Sequence, residues 1–368
     1  MQAVILSGGE GTRLRPLTST MPKPSVPLVN RPMISYMIDW LAGHGVRDIV
    51  MSVGFLADGL RAALDDTGHA GVMIRYVEES QPLGTAGAVK HAEQFLDQRF
   101  LVLNGDVLTA FDISAEIEQH AATGARATLA LVPVDDPTAY GLVLTGEDNR
   151  IETFLEKPSA EDVPPDPRIN AGAYVLERDV LDMIEPEVNC SFEHDVFPHL
   201  ASDEIYAYNA DGYWLDLGTP ERYLTATRDL LDRRLDSWVA ERLVTGGVVI
   251  EPGVNIAASR LDPPVVIGDS CAIGSGSHIG IYSVLGHGCI LGANCKLDRA
   301  VLQRGCTLGA GVSVTNSIVG PGVLIGEGAV IGTGSVIGEG ASVPPGAHVP
   351  PGGRIEAGAE FTADQSAK

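Results

Sequence analysis

Basic residues are scarce in this chain: 25 Lys and Arg stand against 48 Asp and Glu, for a formal net charge of -23. That balance excludes a protein that holds nucleic acid through a general basic surface, so any phosphate it binds must be gripped locally. Long apolar runs are also missing, and none approaches the length of a membrane-spanning helix. The opening Met1-Gln2-Ala3-Val4-Ile5-Leu6 has no basic residue ahead of it, and Gly8 and Gly9 cut it short, which makes it a first strand rather than a secretory leader. Cysteine is sparse. Cys190, Cys271, Cys289, Cys295 and Cys306 form an odd set without a Cys-x-x-Cys pair, which fits reduced thiols and a cytoplasmic setting better than a disulfide framework or a zinc site.

What is present suffices for two domains in 368 residues. Nearly all the acidic excess lies before residue 247, so the two parts differ in character. From Ala3 to about Val134, short apolar runs (Ala3–Leu6, Asp48–Val53, Val72–Val77, Phe100–Leu103) alternate with amphipathic stretches near Met33–Ala42, Ala57–Leu64 and Ala86–Phe95. That alternation predicts an α/β domain with a Rossmann-like, mostly parallel sheet covered by helices. Beyond Thr128 the pattern turns β-rich and irregular, as an added substrate lobe would. A charged stretch from about residue 221 to 243 reads as one linker helix closing a first domain of residues 1–245, and Gly246-Gly247 ends it.

Residues 246–361 are a repeat. Aliphatic residues recur every sixth position at Ile267, Ile273, Ile279, Leu285, Leu291 and Leu297, and again from Ile325 to Ile355. Neither a helix nor a flat sheet keeps that interval, whereas a left-handed parallel β-helix does, with the periodic residue pointing into a triangular prism. The steps Leu297→Leu302 and Val314→Val319 are each one residue short and lie 17 residues apart, which puts both at one corner of successive coils. Cys271, Cys289 and Cys306 each stand two residues before an inward aliphatic and are expected to stack in the core rather than bind metal. Residues 362–368 read as a disordered tail.

The chemistry is concentrated in the first domain. The first strand runs into Gly8-Gly9-Glu10-Gly11-Thr12-Arg13-Leu14, followed by Pro16-Leu17-Thr18 and Pro22-Lys23-Pro24. Glycines after a strand let backbone N–H groups approach a phosphate chain, and Arg13 and Lys23 supply the opposite charge. The loop lacks the Gly-Lys-Ser/Thr of a P-loop, and Leu14 occupies the third glycine's place of a dinucleotide turn. Asp106 closes an apolar strand, where ligand crevices of parallel sheets lie.

Gly8–Thr18 with Pro22–Pro24 resembles the signature of the nucleotide-sugar pyrophosphorylases, the sugar-1-phosphate nucleotidyltransferases. Gln81–Ala88, Asn104-Gly105-Asp106, Tyr140-Gly141, Phe154–Pro158, Asn170-Ala171-Gly172 and Trp214–Pro220 follow in the same order as in that family. The resemblance implies that the enzyme joins a nucleoside triphosphate to a sugar-1-phosphate and releases pyrophosphate. It places Leu6, Gly8, Gly9, Gly11, Thr12, Arg13, Lys23, Gln81, Gly84 and Asp106 around the nucleotide, with Gln81 and Gly84 near the base. It puts Gly141, Glu156, Lys157 and Asn170 around the sugar phosphate, makes Arg13, Lys23 and Lys157 the catalytic cations, and has Asp106 and Asp216 share Mg²⁺, a metal suited to carboxylate and phosphate oxygens.

The wording of Pro82–Gly87, Asn170–Gly172 and Ser191–Pro198 is closest to the mannose-1-phosphate guanylyltransferase branch. The alternatives are a glucose-1-phosphate thymidylyl- or uridylyltransferase, a cyclitol-phosphate enzyme, a regulatory relative without turnover, or a β-helix acetyltransferase using His278, His287 or His348. Expected partners are the two substrates and further copies of the chain, joined through the β-helix, with no nucleic acid and no membrane. Because every motif precedes Leu243, the sequence alone predicts that a chain ending there keeps nucleotidyl transfer.

Overall fold

The computed structural model describes residues 1–54, 56–134, 137, 141–156, 163–244 and 246–362. They form two compact units. One comprises Met1–Gly9, Tyr36–Ala57 and Gly68–Trp214; the other comprises Glu10–Ser35, Asp58–Thr67 and Leu215–Lys368.

The first unit is built on a sheet whose strands are β1 (Gln2–Ser7), β2 (Asp48–Val53), β3 (Met73–Glu78), β4 (Arg99–Asn104), β5 (Ala127–Pro133), β6 (Gly141–Thr145), β7 (Ile151–Glu156), β8 (Arg168–Glu177) and β9 (Ile205–Asn209). Their order is β7-β6-β8-β4-β1-β2-β3, with β5 paired to both β8 and β9. β4, β1, β2 and β3 run parallel. Helices α1 (Met33–Gly43), α2 (Ala57–Thr67) and α3 (Gly84–His91) alternate with these strands along the chain, and β1 and β4 are almost entirely buried, which is why they read as continuous apolar runs. The sheet is mixed rather than mostly parallel: β8 is antiparallel to β4, β5 and β6, and β7 is antiparallel to β6. The irregular region beyond Thr128 is this antiparallel half together with β9, which runs parallel to β5.

Helix α4 (Ile113–Thr123) packs on this sheet and carries Glu116, which is fully buried. Burial pushes the Glu116 carboxyl well above the usual carboxylate range, only partly offset by the Ala130 backbone. It therefore keeps its proton to higher pH in the folded chain than in the unfolded chain. Its contribution to stability is intact at low pH and is lost as pH rises toward the raised value. Glu116→Gln should accordingly melt higher than the parent at pH 7, by about 1–2 kcal/mol or a few degrees, with the gap closing near pH 4. Thermal melts at the two pH values measure this, and a Gln variant less stable at pH 7 would contradict it.

In the second unit, the repeat is a left-handed parallel β-helix. Strands stack in three parallel sheets, one per prism face: Val248–Ile250 to Arg354–Ile355 on the first, Asn255–Ile256 to Ser342–Val343 on the second, and Arg260–Leu261 to His348–Val349 on the third. The periodic aliphatics from Ile267 to Ile355 fill the prism and are at most 3% exposed. Phe361 joins this core at its C-terminal end. Leu285, Leu302 and Val319 are cross-strand partners on the first face, so the two short steps do share a corner. A third short step, Ile256→Leu261, lies at a different corner.

Cys271, Cys289, Cys295 and Cys306 are buried in this core, and their thiols donate to the carbonyls of Gly286, Gln303, Gly309 and Gly320, respectively. Hydrogen bonding among the stacked thiols, and after it burial, pushes Cys271 and Cys289 up, the latter to about 12.

The stretch expected to be one linker helix is two, α5 (Pro220–Leu231) and α6 (Trp238–Arg242). Arg233 takes a left-handed φ of 57° between them, and the Ser237 hydroxyl caps the second by accepting from Ala240 N–H. The residues pointing out of the first prism face, Val249, Val266, Val284, Val301, Ile318 and Val336, are also buried, at 0–3% exposure. Their cover comes from chain before the repeat. Asn30 Nδ2 donates to Leu285 O (2.8 Å), Tyr282 donates to Asp232 (2.8 Å), and Tyr223 on α5 neighbours Gln303 while its hydroxyl donates to Pro27 O.

Candidate active site

In the first unit, the carboxyl ends of the parallel strands gather several of the expected nucleotide-binding residues. Gly105 donates to Leu6 O at 2.9 Å, and a Cβ there would stand 2.7 Å from that oxygen and from Ser7 Oγ. Only glycine fits, so the turn bearing Asp106 lies against the end of β1. Gly8 meets a neighbour that sequence reasoning missed: a Cβ on it would stand 2.8 Å from Glu79 Oε1. Glu79 is held by Ser52 Oγ (2.7 Å) and Leu83 N–H (3.1 Å), at the start of the segment that carries Gln81 and Gly84. Gly84 opens helix α3 (Gly84–His91) at φ 73° against the Cys190 carbonyl, a close approach no side chain would allow.

Beside these strand ends, within the same unit, is a cleft of about 340 Å³ lined by Asn104, Gly141, Phe154, Asn170, Glu193 and His194 among others. Glu156, the last residue of β7, pairs across the sheet with Gly141. A register shift in the β8–β5 pairing falls between Asn170 and Tyr174, and such an irregularity re-aims side chains. Gly172, at φ 71°, donates to Asn170 Oδ1 (2.8 Å) and packs on the Asn104 amide. Thus two expected sugar-binding positions, Gly141 and Asn170, line one cleft. Lys157 lies outside the described residues.

The second unit holds the cationic loop. Three short turns, Thr12–Leu14, Leu17–Ser19 and Lys23–Ser25, fold it back on itself. Gly11 has φ 61°, its carbonyl accepts from Thr18 Oγ1 (2.8 Å), and a Cβ on it would press on Lys23 Cβ at 2.9 Å. Lys23 is buried, while Thr12 and Arg13 are exposed.

Arg13 and Asp216 converge on Gly218, whose Cβ position lies 2.7 Å from Arg13 Nη2 and 2.8 Å from Asp216 Oδ1. Thr219 caps α5 by accepting from Arg222 N–H (3.3 Å), and Pro220 follows at the first helical position. That start aims Arg222 back at Asp216, with which it forms an ion pair through Oδ2. Sequence reasoning assigned Arg222 no role, although its place three residues after a cap was a usable signal. The β-helix histidines named as acyl-transfer candidates are placed as follows: His278 pairs with Asp262 and His287 with Asp269, both at 2.7 Å, and His348 is exposed on the third face.

Residues 2–233 match the family model described as Nucleotidyl transferase, and residues 243–349 match the one described as EIF2B subunit epsilon LbH domain. The chain belongs to the nucleotidyl transferase family and is a nucleotidyltransferase enzyme. It is 36% identical to the mannose-1-phosphate guanylyltransferase of Mycobacterium tuberculosis over 76% of this chain and 78% of that protein. With the mannose-1-phosphate guanyltransferase of Candida albicans it shares 40% identity over 70% of this chain and 73% of the other. A probable mannose-1-phosphate guanylyltransferase 2 of Oryza sativa subsp. japonica is 35% identical over 87% of this chain and 86% of its own length. Among solved structures, HddC from Yersinia pseudotuberculosis superposes with a TM-score of 0.55 at 30% identity, over 62% of this chain and 99% of that one. The same protein complexed with GMP-PN gives a TM-score of 0.53 at 28% identity, over the same shares of both chains.

Proposed function

We propose that this nucleotidyltransferase makes GDP-mannose and pyrophosphate from GTP and mannose-1-phosphate. The observation that carries the substrate pair is the 35–40% identity, over most of the chain, to relatives named for that reaction. In this reading a phosphate oxygen of the sugar-1-phosphate attacks Pα of the triphosphate. The bond between Pα and the oxygen bridging to Pβ breaks, and that oxygen leaves with both electrons as part of pyrophosphate. No side chain is covalently modified, so the protein's task is alignment and charge neutralisation.

Leu6, Gly8, Gly9, Gly11 and Thr12 form the phosphate cradle, Gln81 and Gly84 lie at the base, and Arg13 and Lys23 neutralise the triphosphate. Gly141, Glu156 and Asn170 hold the sugar, and Lys157 its phosphate. Members of this family use a divalent metal, and Asp106 and Asp216 are the carboxylates we assign to it, with Mg²⁺ as the ion. Carboxylate oxygens are the donors a hard cation takes. Arg222 holds Asp216 through Oδ2, and Oδ1 lies on the side of Arg13 and Gly218. When bound, the ion draws negative charge from the phosphates.

We place the enzyme in the cytoplasm, where its five free cysteines stay reduced. Among the described residues no helix is long and apolar enough to cross a membrane. A closed homo-oligomer through the β-helix is supported by Ile290 and Leu324, both more than half exposed on the second prism face.

A pyrophosphate-release screen of four nucleoside triphosphates against mannose-, glucose- and galactose-1-phosphate and a cyclitol phosphate tests the substrate pair. GTP with mannose-1-phosphate should exceed other pairs in kcat/KM by roughly a hundredfold. Preference for UTP or dTTP with glucose-1-phosphate would overturn it.

A further inference from the structure

The cleft contains a carboxylate that none of the assignments above uses. Glu193 lines it together with Asn170, and three hydroxyls from separate segments meet on its two oxygens. Thr85 Oγ1 (2.9 Å) and Ser191 Oγ (2.6 Å) approach Oε2, and the Tyr174 hydroxyl (2.7 Å) approaches Oε1. The direction of each bond is fixed by what else the hydroxyl does. Thr85 Oγ1 accepts from Phe192 N–H (2.9 Å) and Ser191 Oγ from His194 N–H (3.4 Å), so both give their protons to Glu193. An ionised carboxylate only accepts, so the Tyr174 proton also points to it. The Tyr174 oxygen is then left as an acceptor, and Asn170 Nδ2 donates to it at 2.9 Å.

At its other end, Asn170 Oδ1 is engaged by Gly172 N–H (2.8 Å). The amide is therefore pinned in one of its two orientations, with one Nδ2 hydrogen on Tyr174 and the second available to a ligand. We propose that Glu193 is a positioning residue that, through Tyr174, holds the nitrogen end of the Asn170 amide in place so that it offers a sugar or phosphate oxygen an N–H donor. Without the carboxylate, the Tyr174 proton is no longer drawn away from Asn170 Nδ2, the amide nitrogen loses its acceptor, and the amide is held by Gly172 alone. This inference rests on reading the cleft as the sugar-phosphate site.

Kinetics of Asn170→Ala, Tyr174→Phe, Glu193→Ala and the Tyr174→Phe/Glu193→Ala double variant, with sugar-1-phosphate and triphosphate varied separately, test it. Phe at 174 keeps the ring packed on Phe192 and Phe197, so that variant should fold even if Glu193→Ala is weakened. Tyr174→Phe and Glu193→Ala should each raise KM for sugar-1-phosphate roughly tenfold, the worth of one hydrogen bond, while KM for the triphosphate stays within about twofold. Since the two residues act in series, the double variant should be no worse than the worse single one. A merely structural role would lower the active fraction, and so kcat, with both KM values unchanged, and that result overturns the proposal. Multiplying effects in the double variant also overturn it. If Asn170→Ala raises KM but neither other single variant does, the proposal fails and the cleft reading stands. If Asn170→Ala leaves KM unchanged, both fail.

Discussion

A chain ending at Leu243 should lose at least a hundredfold in nucleotidyl transfer and melt well below the intact protein, although every recognisable motif precedes that residue. Motif positions alone point to a separable catalytic part, but the packing does not. The valine row on the first prism face is buried because residues 27–30 and α5 lie across it, tied down by Asn30 to Leu285 and Asp232 to Tyr282. Removing the repeat exposes the far side of α5, including Tyr223, whose hydroxyl holds Pro27 four residues beyond Lys23. The helix start that aims Arg222 at Asp216 is loosened by the same cut. Apolar burial of this kind, at ~25 cal/mol per Å², is not replaced by anything in the shortened chain. Activity, thermal melting and light scattering of the two chains measure the effect, with the intact chain expected to be oligomeric. Val284→Asp in the intact chain is the companion variant, putting an unpaired charge into the same interface with the repeat still present. Full turnover by a folded chain ending at Leu243 would refute the dependence, and a monomeric intact chain would refute the assembly.

Asp106→Asn and Asp216→Asn should each lower turnover by about two to four orders of magnitude, with melting temperatures within a few degrees of the parent. An Asn keeps the shape and one acceptor oxygen but removes the charge that a divalent ion requires. At position 216 the change also leaves Arg222 without its carboxylate, so Arg222→Ala serves as the control for that part of the loss. Turnover measured against divalent-ion concentration separates weakened ion binding from impaired alignment. Parental turnover in either Asn variant would remove that carboxylate from the metal assignment.

The most legible features were those governed by a strict period or by backbone space. The sixfold aliphatic interval gave the prism and its inward residues, because each coil must place one side chain at the same point inside. The short step Ile256→Leu261 escaped notice because Ala257-Ala258-Ser259 carries no glycine to mark a corner. Gly8 and Gly11 were expected to bring backbone close to a phosphate chain, and the space they leave is the kind only glycine permits: a Cβ would press on Glu79 at Gly8 and on Lys23 at Gly11. The antiparallel half of the sheet was not readable, since its direction depends on pairing between β8 and strands distant in sequence. The break between α5 and α6 was hidden by charged residues that suit a helix and a turn equally well. Glu193 was inside a motif noted only for its wording. Its role depends on hydroxyls at positions 85, 174 and 191, and hydrogen-bond direction across three segments leaves no mark in a linear pattern.

The stacking of the repeat also determines how the molecule loosens. Each coil bonds only to the coils before and after it, so the prism behaves as a zipper whose exposed end is the one closed by Phe361. Opening that starts there must pass through the coils of Ile337 and Val319 before it frees the Leu285 carbonyl that holds Asn30. Amide protons along the first face should therefore exchange with solvent in a gradient, fastest near Arg354 and slowest near Leu285. The distal coils thus act as a sacrificial margin, fraying repeatedly while the segment that follows Lys23 stays clamped.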